Sequence, residues 1–154
     1  MHRDHERTTP GETDMGDVDI NWFAVILAAL SSVGVSWLWY SKYLFRDRWR
    51  RFAGLTLDRE EKGLIPALVV AGVAGLFMAY VVAYVGSLIE ANSQDGDMQS
   101  ALGAAFWLWV GVAATTVFTS GYVEQRPLQM MILSVGNRLA TLLVMGLIIG
   151  VFGV

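Results

Sequence analysis

The chain has 154 residues, enough for one domain, of which 55% are hydrophobic and only 16% charged. Soluble domains carry about 25% charged residues, so the deficit is large and points away from a soluble globular fold. With no cysteine, disulfides, thiol nucleophiles and thiolate metal sites are excluded too, and the formal net charge of −3 matters less than where the charges lie.

The first stretch, residues 1–20, is "MHRDHERTTPGETDMGDVDI". It is polar and without periodicity, and reads as a flexible tail. His2 and His5 beside Asp4 and Glu6 are a nominal metal set, but four such groups on a flexible terminus read as solvated charge, and neither metal nor cofactor is expected.

The remainder, 21–154, reads as one transmembrane domain. Asn21–Ser41, Gly63–Ile89 and Met98–Val123 carry no charge, and Leu128–Val154 carries one, Arg138. Each run exceeds the roughly 20 residues a helix needs to cross about 30 Å of hydrocarbon. The expected fold is all-α, an integral membrane bundle of four transmembrane helices over about 21–45, 63–89, 98–123 and 128–154.

The first helix is too long for the apolar region of a signal peptide. Trp22 marks one interface, and Trp37, Trp39, Tyr40 and Tyr43 mark the other, where a half-wet aromatic ring is favoured. Arg46, Arg48, Trp49, Arg50 and Arg51 follow, a cluster that would attract anionic lipid or an acidic partner, and that also serves as a topology anchor.

The second helix carries small residues at every fourth position, among them Ala67, Ala71, Gly75, Ala79 and Ala83. In lipid, helices associate by close approach at small residues. Four residues advance 400°, so the stripe drifts about 40° per step and winds around the helix. It therefore meets two or three neighbours in succession, which makes the second helix central. The first helix repeats the pattern at Ala24, Ala28, Ser32 and Ser36, and the fourth offers Gly146 and Gly150.

The third helix holds Trp107 and Trp109, which cannot share a face. Thr115, Thr116 and Thr119 can bond back to their own helix carbonyls. No membrane segment contains His, so an intrinsic haem is not expected.

The fourth helix poses the question of Arg138. If the hydrocarbon begins at Leu128, the guanidinium is near the midplane; if the helix ends flush at Val154, it lies near the interface and can snorkel out. Without a carboxylate deep in any helix, Glu124 across the tight "EQRP" turn is the nearest expected partner. Arg138, with Asn137 able to bond a neighbouring helix, therefore reads as a structural anchor held by Glu124 or a lipid phosphate. The sharper alternative makes Arg138 an anion-binding or gating residue in a cavity.

The basic residues set the topology. Eight of the eleven Lys and Arg fall in loop 42–62 and the 124–127 turn, against Arg3 and Arg7 on the other side. The positive-inside rule then puts that loop in the cytoplasm and both termini outside.

The segments "INWFAVILAAL", "SWLWYSKYLFRDRWRRFAGLT" and "AFWLWVGVAATTVF" resemble the small bacterial membrane family catalogued as domain of unknown function 1761. The most specific piece is Trp39-Tyr40-Ser41, Leu44-Phe45, Trp49 and Gly54. Family members commonly have Pro after the Trp-Tyr-Ser and Gly after the Leu-Phe, where this chain has Lys42 and Arg46, a more basic and less kinked turn. The resemblance implies a multi-pass protein of the bacterial cytoplasmic membrane and brings no activity with it.

Two function classes follow. One is a non-catalytic membrane protein that associates with itself or serves as an accessory subunit, with anionic lipids on the cytoplasmic side and other membrane subunits as partners, and no nucleic acid. The other is a small transporter or channel that uses Arg138. No catalytic set occurs at recognisable spacing.

Overall fold

The computed structural model describes residues 20–45, 47, 51, 57–93 and 96–153. Helix α1 spans Trp22–Trp39, α2 Leu57–Asn92 and α3 Asp97–Leu108. A π-helical segment, Trp109–Ala114, joins α3 to α4, Thr115–Val123, and α5 spans Leu128–Phe152. The described residues are otherwise turns and contain no strand. Trp22–Trp39, Leu68–Asn92, Asp97–Val123 and Leu128–Phe152 are each long and apolar enough to cross a membrane. The fold is therefore a four-helix, multi-pass membrane bundle, with α3, the π segment and α4 making up the third span.

Two ends differ from the sequence-based bounds. The first helix stops at Trp39 instead of Phe45 because the chain turns back: Phe45 donates its N–H to the Trp39 carbonyl at 3.2 Å, and the two rings pack at 4.9 Å. The second helix starts at Leu57, ahead of the expected Gly63, and takes in the charged 58–62 stretch and Pro66. Asp47 and Arg51 are in helical conformation and exposed, whereas Arg46, Arg48, Trp49 and Arg50, with most of the 1–20 tail and its two histidines, lie outside the described residues.

The helices close into a ring. Helix α1 packs against α2 and α5, and α3 packs against the same two. The second helix thus has two principal neighbours and a slighter contact with α5, and it shares the centre of the bundle with the fourth span. The small residues make the contacts. A Cβ on Gly75 would run into the Ser32 hydroxyl, and one on Gly146 would lie 3.0 Å from the Ala101 carbonyl oxygen. One on Gly150 would come 2.7 Å from the Met98 Cα. Ala79 and Ala83 are buried, Ala71 is exposed, and the side chain of Ala67 lies outside the described set.

Among the described residues, the buried core lies towards one end. Val25, Ala28, Ala79, Val82, Ala101, Met145 and Ile149 form the core there. The Asn21 amide closes that end by donating to the Phe152 carbonyl at 2.9 Å, while its oxygen caps α1 by accepting from the Ala24 N–H. At the other end, among the described residues, α4 packs only on α5 among the helices, and α2 makes no substantial contact with the π segment or α4. Among the described residues the helices are therefore splayed where α1 ends.

A candidate anion pocket at the splayed end

The splay leaves a cavity of about 320 Å³ inside the bundle. Helix α5 lines it with Ser134, Asn137, Arg138, Thr141, Leu142 and Met145. Steps of three and four residues bring these onto one helix face. Helix α1 contributes Ser32, Ser36 and Tyr40, again four apart, and α2 and the π segment contribute small or apolar residues such as Ala71, Gly75, Met78 and Ala113.

Three features position the polar face. Gly136 admits the Trp39 ring, which would lie 3.2 Å from a Cβ at that position, so the end of α1 rests on α5 one residue before Asn137. Tyr40 follows, and its hydroxyl meets the side chains of Asn137 and Ser134 beside the Arg138 guanidinium. From the opposite side, Trp109 at the start of the π segment donates its indole N–H to the Val135 carbonyl at 3.1 Å. Such π-helical segments recur at functional sites.

Arg138 is exposed at the pocket. Its expected partner is elsewhere. Glu124 is held by Arg126, with Nε–Oε2 at 2.6 Å and Nη2–Oε2 at 2.5 Å, in the exposed turn between α4 and α5. Arg126 is two residues from Glu124, whereas Arg138 lies about 15 Å up the helix from Leu128 at 1.5 Å per residue. The anticipated Glu124–Arg138 pair therefore does not form. No carboxylate lines the cavity among the described residues.

Two of the lining side chains are incompletely satisfied. Asn137 Oδ1 and Thr141 Oγ1 are buried and have no hydrogen-bond partner among the described residues. A buried polar group left without a partner costs about 1–3 kcal/mol. Trp39 Nε1 and Ser100 Oγ share that condition but do not line the cavity. The hydroxyls of Ser32, Thr115 and Thr116 bond back to their own helices, the last two as their sequence suggests.

From the sequence, Ser32 and Ser36 read as packing residues and Tyr40 as an interface aromatic. What marks them as a site is that all three share one face of α1 opposite Asn137 and Arg138. That four-residue spacing is present in the sequence, but its partner face is not. The stripe residues Ala79, Ala83, Gly146 and Gly150 stay in helix contacts, while Ala71 and Gly75 border the cavity.

Four apolar spans define a small multi-pass membrane protein. The chain belongs to the family described as "Protein of unknown function (DUF1761)", whose model matches residues 23–150. No curated protein and no solved structure matches it.

Proposed function

We propose that this is a non-catalytic membrane protein that holds an anionic group against Arg138 in the cavity between α1, α2 and α5. The observation that carries this is the guanidinium itself: it borders a cavity without a carboxylate among the described lining residues. An arginine in a membrane span costs about 2.5–3.5 kcal/mol at the centre on insertion scales, and an anion would offset that cost. Guanidinium suits the task, since its planar fork pairs with the two oxygens of a carboxylate or phosphate. The remaining lining groups are an amide, a phenol and hydroxyls, which orient a ligand but make no recognisable nucleophile–base pair.

The cavity is closed at the Asn21–Phe152 end by fully buried Val25, Ala28, Val82 and Ile149. This supports binding over conduction. The basic residues around the splayed end support placing it at the cytoplasmic face of a bacterial inner membrane.

The test is a melting curve in uncharged detergent with n-decyl phosphate as the probe. A ligand that binds only the folded state raises the melting temperature. The wild type should be stabilised by decyl phosphate and not by decyl maltoside, and Arg138→Leu should lose the response. An equal response in the variant, or none in the wild type, refutes the reading.

A further inference from the structure

We infer that Tyr40 is the positioning residue of the Arg138 site: reaching across from the end of α1, it fixes the rotation of α5 and with it the direction of the guanidinium. This rests on the anion-binding reading above and deepens it by naming what aims the charge.

The first ground is a helical turn held on every residue. Ser134, Val135, Gly136 and Asn137 form the turn of α5 immediately before Arg138. Tyr40 meets the side chains of Ser134 and Asn137. Gly136 receives the Trp39 ring, which would lie 3.2 Å from a Cβ there. The Val135 carbonyl accepts from the Trp109 indole N–H of the third span at 3.1 Å. About 3.6 residues make one turn, so a complete turn is gripped by aromatic side chains of two other spans, and Tyr40 supplies two of the four contacts.

The second ground is that the lipid does not choose this rotation. Helix α5 is apolar over most of its length and circumference, and in lipid an apolar surface has no preferred face. Directional contacts must set the rotation instead. A guanidinium stands roughly 9 Å from its helix axis, so a turn of about 20° moves it roughly 3 Å, a whole hydrogen-bond length.

The third ground is the direction of the Tyr40 bond. Asn137 Oδ1 has no hydrogen-bond partner among the described residues, so the amide N–H is the group that meets Tyr40, and the phenol oxygen accepts. Loss of the Tyr40 hydroxyl therefore leaves Asn137 without a partner at either end of its amide, one residue from Arg138. Tyr40 is itself fixed at its base. Its N–H donates to the Ser36 carbonyl at 3.1 Å, and Phe45 closes the turn on the Trp39 carbonyl at 3.2 Å. A phenol is neutral at ordinary pH, so Tyr40 orients the site without cancelling its charge.

The experiment is a double-mutant cycle on the full chain in uncharged detergent. Affinity for n-decyl phosphate is read by isothermal titration at a temperature where every variant is folded, and a melting curve records stability. Tyr40→Phe should weaken binding by about threefold to tenfold, the span of one neutral hydrogen bond. Arg138→Lys should bind more weakly than the wild type. An ammonium is a point charge with no planar fork to aim, so adding Tyr40→Phe to Arg138→Lys should change the affinity by less than about twofold. The melting temperature should fall alike in both backgrounds, since the same bond is lost. Asn137→Ala removes the other partner and should reproduce the loss of affinity, and Tyr40→Phe with Asn137→Ala should lose no more than either alone.

An equal loss of affinity in the arginine and lysine backgrounds overturns the positioning role and makes the Tyr40 hydroxyl a direct ligand of the anion. Unchanged affinity in Tyr40→Phe, with only a lower melting temperature, reduces Tyr40 to a packing contact and refutes this inference alone. Should Tyr40→Phe not fold, undiminished affinity in Asn137→Ala refutes it equally. Absence of decyl phosphate binding by the wild type refutes the reading beneath it.

Discussion

The indole N–H of Trp109 donates to the Val135 carbonyl at 3.1 Å, across two spans and 26 residues of chain. Val135 is buried and lies three residues before Arg138. The bond thus ties the start of the π segment to the stretch of α5 that carries the pocket's polar groups. Trp109→Phe keeps most of the ring area and removes the donor. We expect a loss of about 0.5–1.5 kcal/mol of stability, read as a lower melting temperature, together with weaker retention of decyl phosphate. Unchanged values for both would make the bond incidental.

The glycines give a paired test of packing. A Cβ on Gly146 would sit 3.0 Å from both the Ala101 oxygen and the Ala105 Cβ, whereas one on Gly103 meets nothing within 4 Å. Alanine has the higher helix propensity by about 0.8–1.0 kcal/mol. Gly103→Ala should therefore be neutral or stabilising. Gly146→Ala must push α3 away from α5 and should lower the melting temperature in detergent. Gly75→Leu should disrupt the bundle further, since even a methyl group there meets the Ser32 hydroxyl. The same ranking for all three variants would show that these contacts do not hold the helices.

The eight-to-two basic split leads us to expect both termini outside. Ser93, between the second and third spans, should react with an impermeant thiol reagent in intact cells once changed to cysteine. Gln129, exposed at the start of α5, should react only after the membrane is opened. The reverse pattern would place the pocket end outside and remove the cytoplasmic part of the proposal.

The number of spans was legible because twenty or more uncharged residues have few other fates. Gly146 and Gly150 stand out in the sequence for a related reason, as small residues at helix spacing have one common use in lipid, and a Cβ at either would meet α3. The pocket was not. Arg138 stood out by itself, but Tyr40 reads as one of several interface aromatics until the turn at Trp39–Phe45 brings it over Asn137. The π segment has no signature in "WVGVAA". Glu124 is the nearest carboxylate to Arg138 in the sequence, across the "EQRP" turn, but sequence distance does not say which cation reaches it first. A residue two positions away, Arg126, takes it instead.

Arg138→Leu separates anchor from ligand site. As an anchor, the guanidinium fixes the depth of α5, and its loss should lower stability or disturb insertion. As a ligand site, it is a charge kept in the membrane at a cost, about 2.5–3.5 kcal/mol at the centre and less towards the interface. Leucine removes that cost and adds apolar surface to a cavity already lined by Leu142 and Met145. The variant should therefore insert as well as the wild type and melt at the same or a higher temperature in lipid-free uncharged detergent. It should lose the stabilisation by decyl phosphate. Greater bare stability with lost binding is the pattern expected of a residue retained for function at the expense of the fold. In liposomes neither form should pass anions, because the core around Val25, Val82 and Ile149 closes the far end. Anion flux that depends on Arg138 would instead mean that this end opens, and the protein would be a transporter.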